Sequence, residues 1–375
     1  MAQITILPEG GTVHTKPGES LLEVLRRAGF IPDAPCGGQG TCGKCRVLAD
    51  GMPVLACRTP ADRDMTVQLP ETKNMKILRA AAEMPKGSPA GEGYGLAFDI
   101  GTTTLVCYLT DCATGETLAQ SGMPNPQRGF GADVLSRIRV ALDGELEALT
   151  ALIRRGMTEL AREVCRSRGI DPDGIRVVSV VGNPAMQQLF LGISPRNLAA
   201  VPFAPVLREA KRVPCGEYLP LCAGAEMLIV PDISGYVGAD TMGCVLSTRL
   251  YLAEEMTLLV DIGTNGEMVL GNRHRMVACA TAAGPALEGA NIRFGMRAAE
   301  GAIDHVRLED GRFVCSVIGG GEAVGICGSG LIDAAAAALE AGLLNKRGKI
   351  LGNEERERQR ILPLTDNVYL TQEDI

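Results

Sequence analysis

Residues 3–7, Gln-Ile-Thr-Ile-Leu, alternate polar and apolar positions, the period of a half-buried strand. Gly10 and Gly11 offer a turn into a partner run at 12–16. The period then changes. Leu21, Leu22, Leu25 and Ala28 fall on one face of a helix, Ser20 and Glu23 have the spacing of a capping box, and Gly29 marks the end. Three short strand-like runs follow, at 45–50, 53–57 and 66–69. The predicted order over residues 1–70 is β-β-α-loop-β-β-β, that of an α+β domain of β-grasp type, a small sheet lying across one helix.

Residues 71–94 carry a short helical piece and then Pro, Gly, Ser and Ala, which reads as a linker. From residue 95 the pattern restarts as α/β. An apolar strand ends at Asp99, and a tight Gly-Thr turn leads to two further strands. Helices are predicted over 131–142 and 145–168, an apolar strand over 175–182, a helix after it, a strand over 226–233 and a helix over 238–251. Then the pattern repeats. TLLVDIGTNGEMVLGN at 257–272 parallels GLAFDIGTTTLVCYLT at 95–110, with Asp261 in the place of Asp99. An internal repeat of this kind predicts two similar lobes, 95–255 and 256–375.

Composition narrows the class. A net charge of −7 argues against a nucleic-acid partner. No apolar run reaches the length of a membrane span, and the first residues lack the basic and apolar regions of a signal peptide, so a cytoplasmic protein with no membrane partner is expected. In that compartment 13 cysteines are not a disulfide framework. Some are expected to bind metal and the others to be buried free thiols.

The ligand candidates are Cys36, Cys42, Cys45 and Cys57, spaced C-x5-C-x2-C-x11-C. Plant-type 2Fe–2S ferredoxins use C-x4-C-x2-C and a distant fourth cysteine; here the first gap is one residue longer. Gly37, Gly38, Gly40 and Gly43 would let the backbone wrap tightly and aim N–H groups at sulfur. A zinc site usually has two C-x2-C knuckles, and this loop has one. A 2Fe–2S cluster is the favoured reading; zinc, or a merely structural thiol loop, are the alternatives.

The two Asp-Ile-Gly-Thr turns suit phosphate. Backbone N–H groups and hydroxyls of Gly101, Thr102, Thr103 and Thr104 can surround a nucleotide's phosphates, and Gly263, Thr264, Asn265 and Gly266 can do the same from the second lobe. Asp99 and Asp261 would position Mg²⁺ and the attacking water. A capped strand-to-turn junction is the plainer reading of either copy alone. In GICGSGLIDAAAAAL, residues 325–339, a glycine-rich turn enters an alanine-rich helix. Gly328, Ser329 and Gly330 would admit a flat adenosine ring, although tight helix packing explains small residues equally well.

These elements, in this order, resemble the phosphate-1, phosphate-2 and adenosine motifs of the ASKHA superfamily (acetate and sugar kinases, Hsp70, actin), whose two lobes are RNase H-like. With a 2Fe–2S domain in front, and with NPQRGFGADVLSRI, VVGNPAMQQLFLGI, PDISGYVGADT and TAAGPALEGANIRFGM, nearly the whole chain resembles the reductive activators of corrinoid-dependent methyltransferases. The resemblance implies an ATP-hydrolysing activase that uses ATP and Mg²⁺. An electron from a donor such as a reduced ferredoxin reaches the 2Fe–2S cluster and passes to the Co(II) corrinoid of a corrinoid protein or methyltransferase, giving Co(I). A homodimer is compatible with it. The chain departs from the family in having only a short linker after the cluster domain and in stopping at LTQEDI, where the family continues into helices that complete the second lobe. Two other readings stay open: a small-molecule kinase with a fused redox domain, Asp240 being its one candidate base, and an electron carrier whose nucleotide lobes are vestigial.

Overall fold

The computed structural model describes residues 2–8, 11–30, 32, 34, 37–40, 43–69, 89, 91–131, 133–263, 265–281, 292–296, 298–309, 311–352 and 360–375. The chain divides into two compact units. The first takes in Met1–Lys73, Arg79–Asp261 and Glu267–Ala280; the second takes in Asn74–Leu78, Ile262–Gly266 and Thr281–Ile375.

The first unit opens with β1 (Gln3–Leu7), β2 (Gly11–His14), α1 (Leu21–Arg27), β3 (Arg46–Ala49), β4 (Met52–Leu55) and β5 (Met65–Gln68). The sheet order is β2-β1-β5-β3-β4, with β1 parallel to β5. This is the expected β-grasp arrangement. The capping box forms: the Ser20 hydroxyl accepts from the Glu23 N–H at 3.3 Å, and the Ser20 N–H donates to Glu23 at 2.7 Å. Leu21, Leu22, Val24 and Leu25 are buried in one core with Ile4, Ile6, Val47 and Val67. Each such side chain contributes about 1.5–3 kcal/mol by leaving water. Cys57 departs slightly from expectation. It lies in a helical turn, Ala56–Arg58, beyond the end of β4.

The same unit continues with β6 (Tyr94–Ile100), β7 (Thr104–Asp111), β8 (Thr117–Pro124), α2 (Val134–Val140), α3 (Leu146–Arg168), β9 (Ile175–Gly182), α4 (Pro184–Leu191), β10 (Lys211–Pro214), β11 (Glu226–Ile229) and α5 (Ala239–Ser247). The six-stranded order is β10-β11-β9-β6-β7-β8, and β9 runs parallel to both β6 and β11. Leu149, Ile153, Met157, Leu160 and Val164 recur at helical spacing along α3 and are buried where it packs on β7 and β8. The strand β10, mostly polar, has no counterpart in the sequence reading.

Strands β12 (Thr257–Ile262), β13 (Gly266–Gly271) and β14 (Met276–Thr281) form a three-stranded sheet. The second unit contains β15 (Ala302–Glu309), β16 (Arg312–Val317), β17 (Gly325–Ile326), α6 (Gly328–Glu340) and a hairpin of β18 (Ile361–Pro363) with β19 (Tyr369–Thr371). Its core gathers Ile303, Val306, Ala334, Ala338, Leu362 and Leu370. No helix among the described residues is long and apolar enough to cross a membrane.

Candidate cluster loop and nucleotide site

Cys45 is 1% exposed at the entrance to β3, and its carbonyl accepts from the Ala56 N–H at 2.9 Å. That bond ties the two cysteine-bearing segments together and leaves Cys45 Sγ 3.2 Å from Cys57 Sγ. A disulfide would need about 2.05 Å. The two sulfurs therefore converge without bonding, the disposition of thiolates sharing a metal centre. The loop itself depends on glycine: Gly37, Gly38, Gly40 and Gly43 all have positive φ, from 66° to 100°. A Cβ on Gly38 would also meet Leu22 at 3.1 Å. The residues present fit a cluster cradle. Cys36 and Cys42 lie outside the described residues. Among the described residues no group of three His, Cys, Asp or Glu side chains is placed to hold a metal ion, the acidic side chains below included.

The remaining cysteines mostly behave as expected. Cys107, Cys112, Cys165, Cys215, Cys222 and Cys327 are buried free thiols; Cys244 and Cys315 are partly buried, and Cys279 is exposed.

The first phosphate loop joins β6 to β7. A Cβ on Gly101 would come within 2.8 Å of the Thr104 carbonyl oxygen, so only glycine allows this turn. Three successive carbonyls are held from behind. Gly101 O accepts from Asn125 Nδ2 at 2.8 Å, Thr102 O from Arg137 Nη2 at 2.5 Å, and Thr103 O from the Asn125 N–H at 2.8 Å. A planar trans peptide points its N–H opposite to its C=O. These bonds thus turn the N–H groups of Thr102, Thr103 and Thr104 away from Asn125 and Arg137. The Thr102 hydroxyl is different: the residue is 5% exposed and the hydroxyl accepts from Asn183 Nδ2 at 3.0 Å. It braces the loop inward.

Asp99 and Asp261 do come near one another, in a wider acidic group than the sequence suggested. Burial, reinforced by Asp240 and Asp261, pushes the Asp99 carboxyl up to about 7. Asp99 is itself exposed to solvent, so what raises it is the protein packed around the carboxyl and the neighbouring carboxylates, not enclosure. Asp240, in the first turn of α5, is raised by burial to about 6 even though Thr241 bonds pull it back. Asp232 rises to about 8 by burial and by Asp240, against the opposing pull of the Ala239 N–H. Glu267 on β13 rises to about 7 by burial and by Asp240 and Asp261. Cys244 Sγ lies 3.7 Å from Asp261 Oδ2. Asp232 and Glu267 were not singled out from sequence, although Asp232 lies within PDISG and Glu267 directly follows DIGTNG.

These shifts fix the sign of a pH effect. Each carboxyl titrates near 4 when unfolded and between about 6 and 8 when folded, so the folded chain holds more protons in that window. Stability is fully present below pH 4 for these groups and is lost as pH rises to 8. In chelator-containing buffer the melting temperature is expected to fall by at least about 5 °C between pH 5 and pH 8, and Mg²⁺ is expected to restore part of it at pH 8. Asp232→Asn should flatten the profile. A melting temperature that climbs across the window would refute the arrangement.

In the second unit, the Gly263 N–H donates to Asn265 O at 2.9 Å, closing a tight turn before Gly266; Thr264 lies outside the described residues. At α6, Gly328 and Ser329 reach solvent, and Ser329 Oγ donates to Asp304 O at 2.8 Å. Gly330 is buried, and a Cβ there would lie 2.3 Å from the Ile303 carbonyl oxygen. Close packing of α6 on β15 accounts for that glycine.

The fold and loops define a protein with a ferredoxin-type domain joined to an ASKHA domain. Comparison with known proteins matches a 2Fe–2S iron–sulfur cluster binding domain at residues 4–82, a RACo middle region at 94–253 and the C-terminal ASKHA domain of RACo at 255–375. The chain belongs to the RACo family, whose middle region and C-terminal domain it carries in order behind a 2Fe–2S domain. It is 40% identical over 261 residues to the corrinoid activation enzyme RamQ of Eubacterium limosum, spanning 69% of this chain and 44% of that protein. It is 32% identical over 321 residues to the [Co(II) methylated amine-specific corrinoid protein] reductase of Methanosarcina barkeri, spanning 75% of this chain and 56% of that one. A solved reductive activator for corrinoid, iron–sulfur protein matches all of this chain and 80% of its own at 28% identity, with a TM-score of 0.66. The chain thus spans about half the length of these two curated relatives.

Proposed function

We propose that this chain reduces the Co(II) corrinoid of a partner protein to Co(I), drawing the electron through a 2Fe–2S cluster and the driving force from ATP hydrolysis. The observation that carries the reading is the presence, on one chain, of converging cluster thiols and a braced phosphate loop beside crowded carboxylates. The names of the relatives, which act on corrinoid proteins, support it.

A 2Fe–2S cluster, when bound, supplies a one-electron relay. Cys36, Cys42, Cys45 and Cys57 would hold it. Each 59 mV of a one-electron gap is a tenfold equilibrium factor, so a gap of roughly a few hundred millivolts costs several kcal/mol. Hydrolysis at the ASKHA domain offsets this. In the first unit the N–H groups of Thr102, Thr103 and Thr104 would donate to phosphate oxygens; in the second, the turn at Gly263, Asn265 and Gly266 is the candidate second loop and Gly328 and Ser329 are the candidate adenosine contacts. Asp99 and Asp261, with Asp240 beside them, would hold Mg²⁺, which when bound would supply neutralisation of phosphate charge. Water, positioned by the Asp99 and Asp261 carboxylates, attacks the γ-phosphorus, the bond to the ADP oxygen breaks, and the proton the water gives up leaves with the inorganic phosphate.

The test is anaerobic reduction of a Co(II) corrinoid protein, followed by the growth of the Co(I) absorption band. Reduction should require both the chain and ATP. Reduction at the same rate and extent without nucleotide would leave an electron carrier only, and phosphoryl transfer to a metabolite would make the protein a kinase.

A further inference from the structure

Arg137 is 0% exposed, yet none of its hydrogen bonds goes to a carboxylate. Its guanidinium donates to Thr102 O at 2.5 Å, Gly131 O at 3.0 Å, Gln127 Oε1 at 3.3 Å and Met186 Sδ at 3.2 Å. Burial pulls it down to about 9, which still leaves it charged at neutral pH. Its hydrogen-bond acceptors are all neutral, with the Asp133 carboxylate acting on it only at longer range and Arg128 opposing it, so burying this cation is a costly way to fill a core. What the charge does here is join two backbone segments. One is the phosphate loop. The other is the turn 126–131, which Gln127 also ties to α3 through Leu149 O at 2.9 Å.

The cluster domain rests on that same turn. Arg26 of α1 donates to Gly129 O, and its guanidinium lies 4.6 Å from the Phe130 ring centroid. Gly37, next in sequence to Cys36, lies beside the same turn: a Cβ there would be in ordinary contact with Phe130 O, at 3.5 Å. A continuous set of contacts therefore runs from Thr102, through Arg137 and Gly131, to Phe130 and the cysteine loop. An anion drawn to the Thr103 N–H would polarise the Thr102 carbonyl and strengthen its hold on Arg137. The shared guanidinium would then bind Gly131 and Gln127 less tightly, and the turn beneath the cluster loop would relax.

We propose that Arg137 is a positioning residue that couples the phosphate loop to the cluster loop through the turn 126–131, so that nucleotide and cluster redox state sense one another. The proposal rests on the nucleotide and cluster assignments above. Coupling is reciprocal: if nucleotide shifts the cluster, reduction shifts nucleotide affinity by the same factor.

The experiment is titration of the full cluster-loaded chain with the non-hydrolysable ATP analogue AMPPNP and Mg²⁺, in the oxidised and the dithionite-reduced state. Wild type is expected to show affinities differing by about fivefold or more. Arg26→Ala and Phe130→Ala, both remote from the phosphate loop, should keep the oxidised-state affinity within about twofold while the ratio falls toward one. Arg137→Lys keeps the charge but cannot span the acceptors, and should lose the ratio too. Equal affinities in the two wild-type states would overturn the coupling and leave both sites standing. A ratio that survives in Arg26→Ala and Phe130→Ala would overturn this route. Absence of AMPPNP binding in either state, or of a cluster, would instead overturn the site assignments and the coupling with them.

Discussion

Cys45→Ser is expected to remove the visible absorption and the reduced-state EPR signal of the protein while leaving its far-UV circular dichroism unchanged. Cys45 is buried at the start of β3 and held 3.2 Å from Cys57 Sγ, with its own carbonyl bonded to Ala56. A serine oxygen is a shorter and harder donor than thiolate, and a cradle shaped for sulfur does not move to meet it. The core around Cys45 contains Leu21, Leu25, Ile4 and Val47, so loss of one sulfur leaves most of the apolar burial in place. Iron analysis and spectra of protein purified under nitrogen make the measurement. An undiminished spectrum would remove Cys45 from the ligand set. A wild type that holds only zinc and has no visible band would sink the cluster assignment and the reductive function with it.

Asp261→Ala is expected to lower ATP hydrolysis by at least about 100-fold, the scale of losing a residue that positions the reacting groups. A second effect follows from the crowding. Asp261 raises Asp99, Asp240 and Glu267, so removing its charge should bring all three carboxyls down and weaken the loss of stability between pH 5 and pH 8. A loss of hydrolysis with a flattened stability profile separates this outcome from simple unfolding. Turnover equal to wild type would refute the assigned role.

Much of this was legible before any coordinates. The capping box at Ser20 and Glu23, the strand at 3–7 and the long helix ending at Arg168 are set by neighbours in sequence, through backbone propensity and apolar period. The glycines of the cysteine loop were readable for a related reason: positive φ is a local demand, and it occurs at all four. Gly330 shows the limit. A small residue at a helix start serves a ligand or a neighbouring strand equally well, and only the placement of Ile303 against it decides for packing.

The chain by itself determined the β-grasp order, the repeated Asp-Ile-Gly-Thr turns and the cysteine spacing, because each depends on residues a few positions apart. Tertiary structure alone decided that Asp232 and Glu267 join Asp99, Asp240 and Asp261, and that Thr102 turns its hydroxyl inward to Asn183. It also decided that Arg137 stands between the phosphate loop and the turn under the cluster domain. The reason is physical. Burial and charge crowding depend on which distant segments share a volume, and no local pattern of residues carries that information.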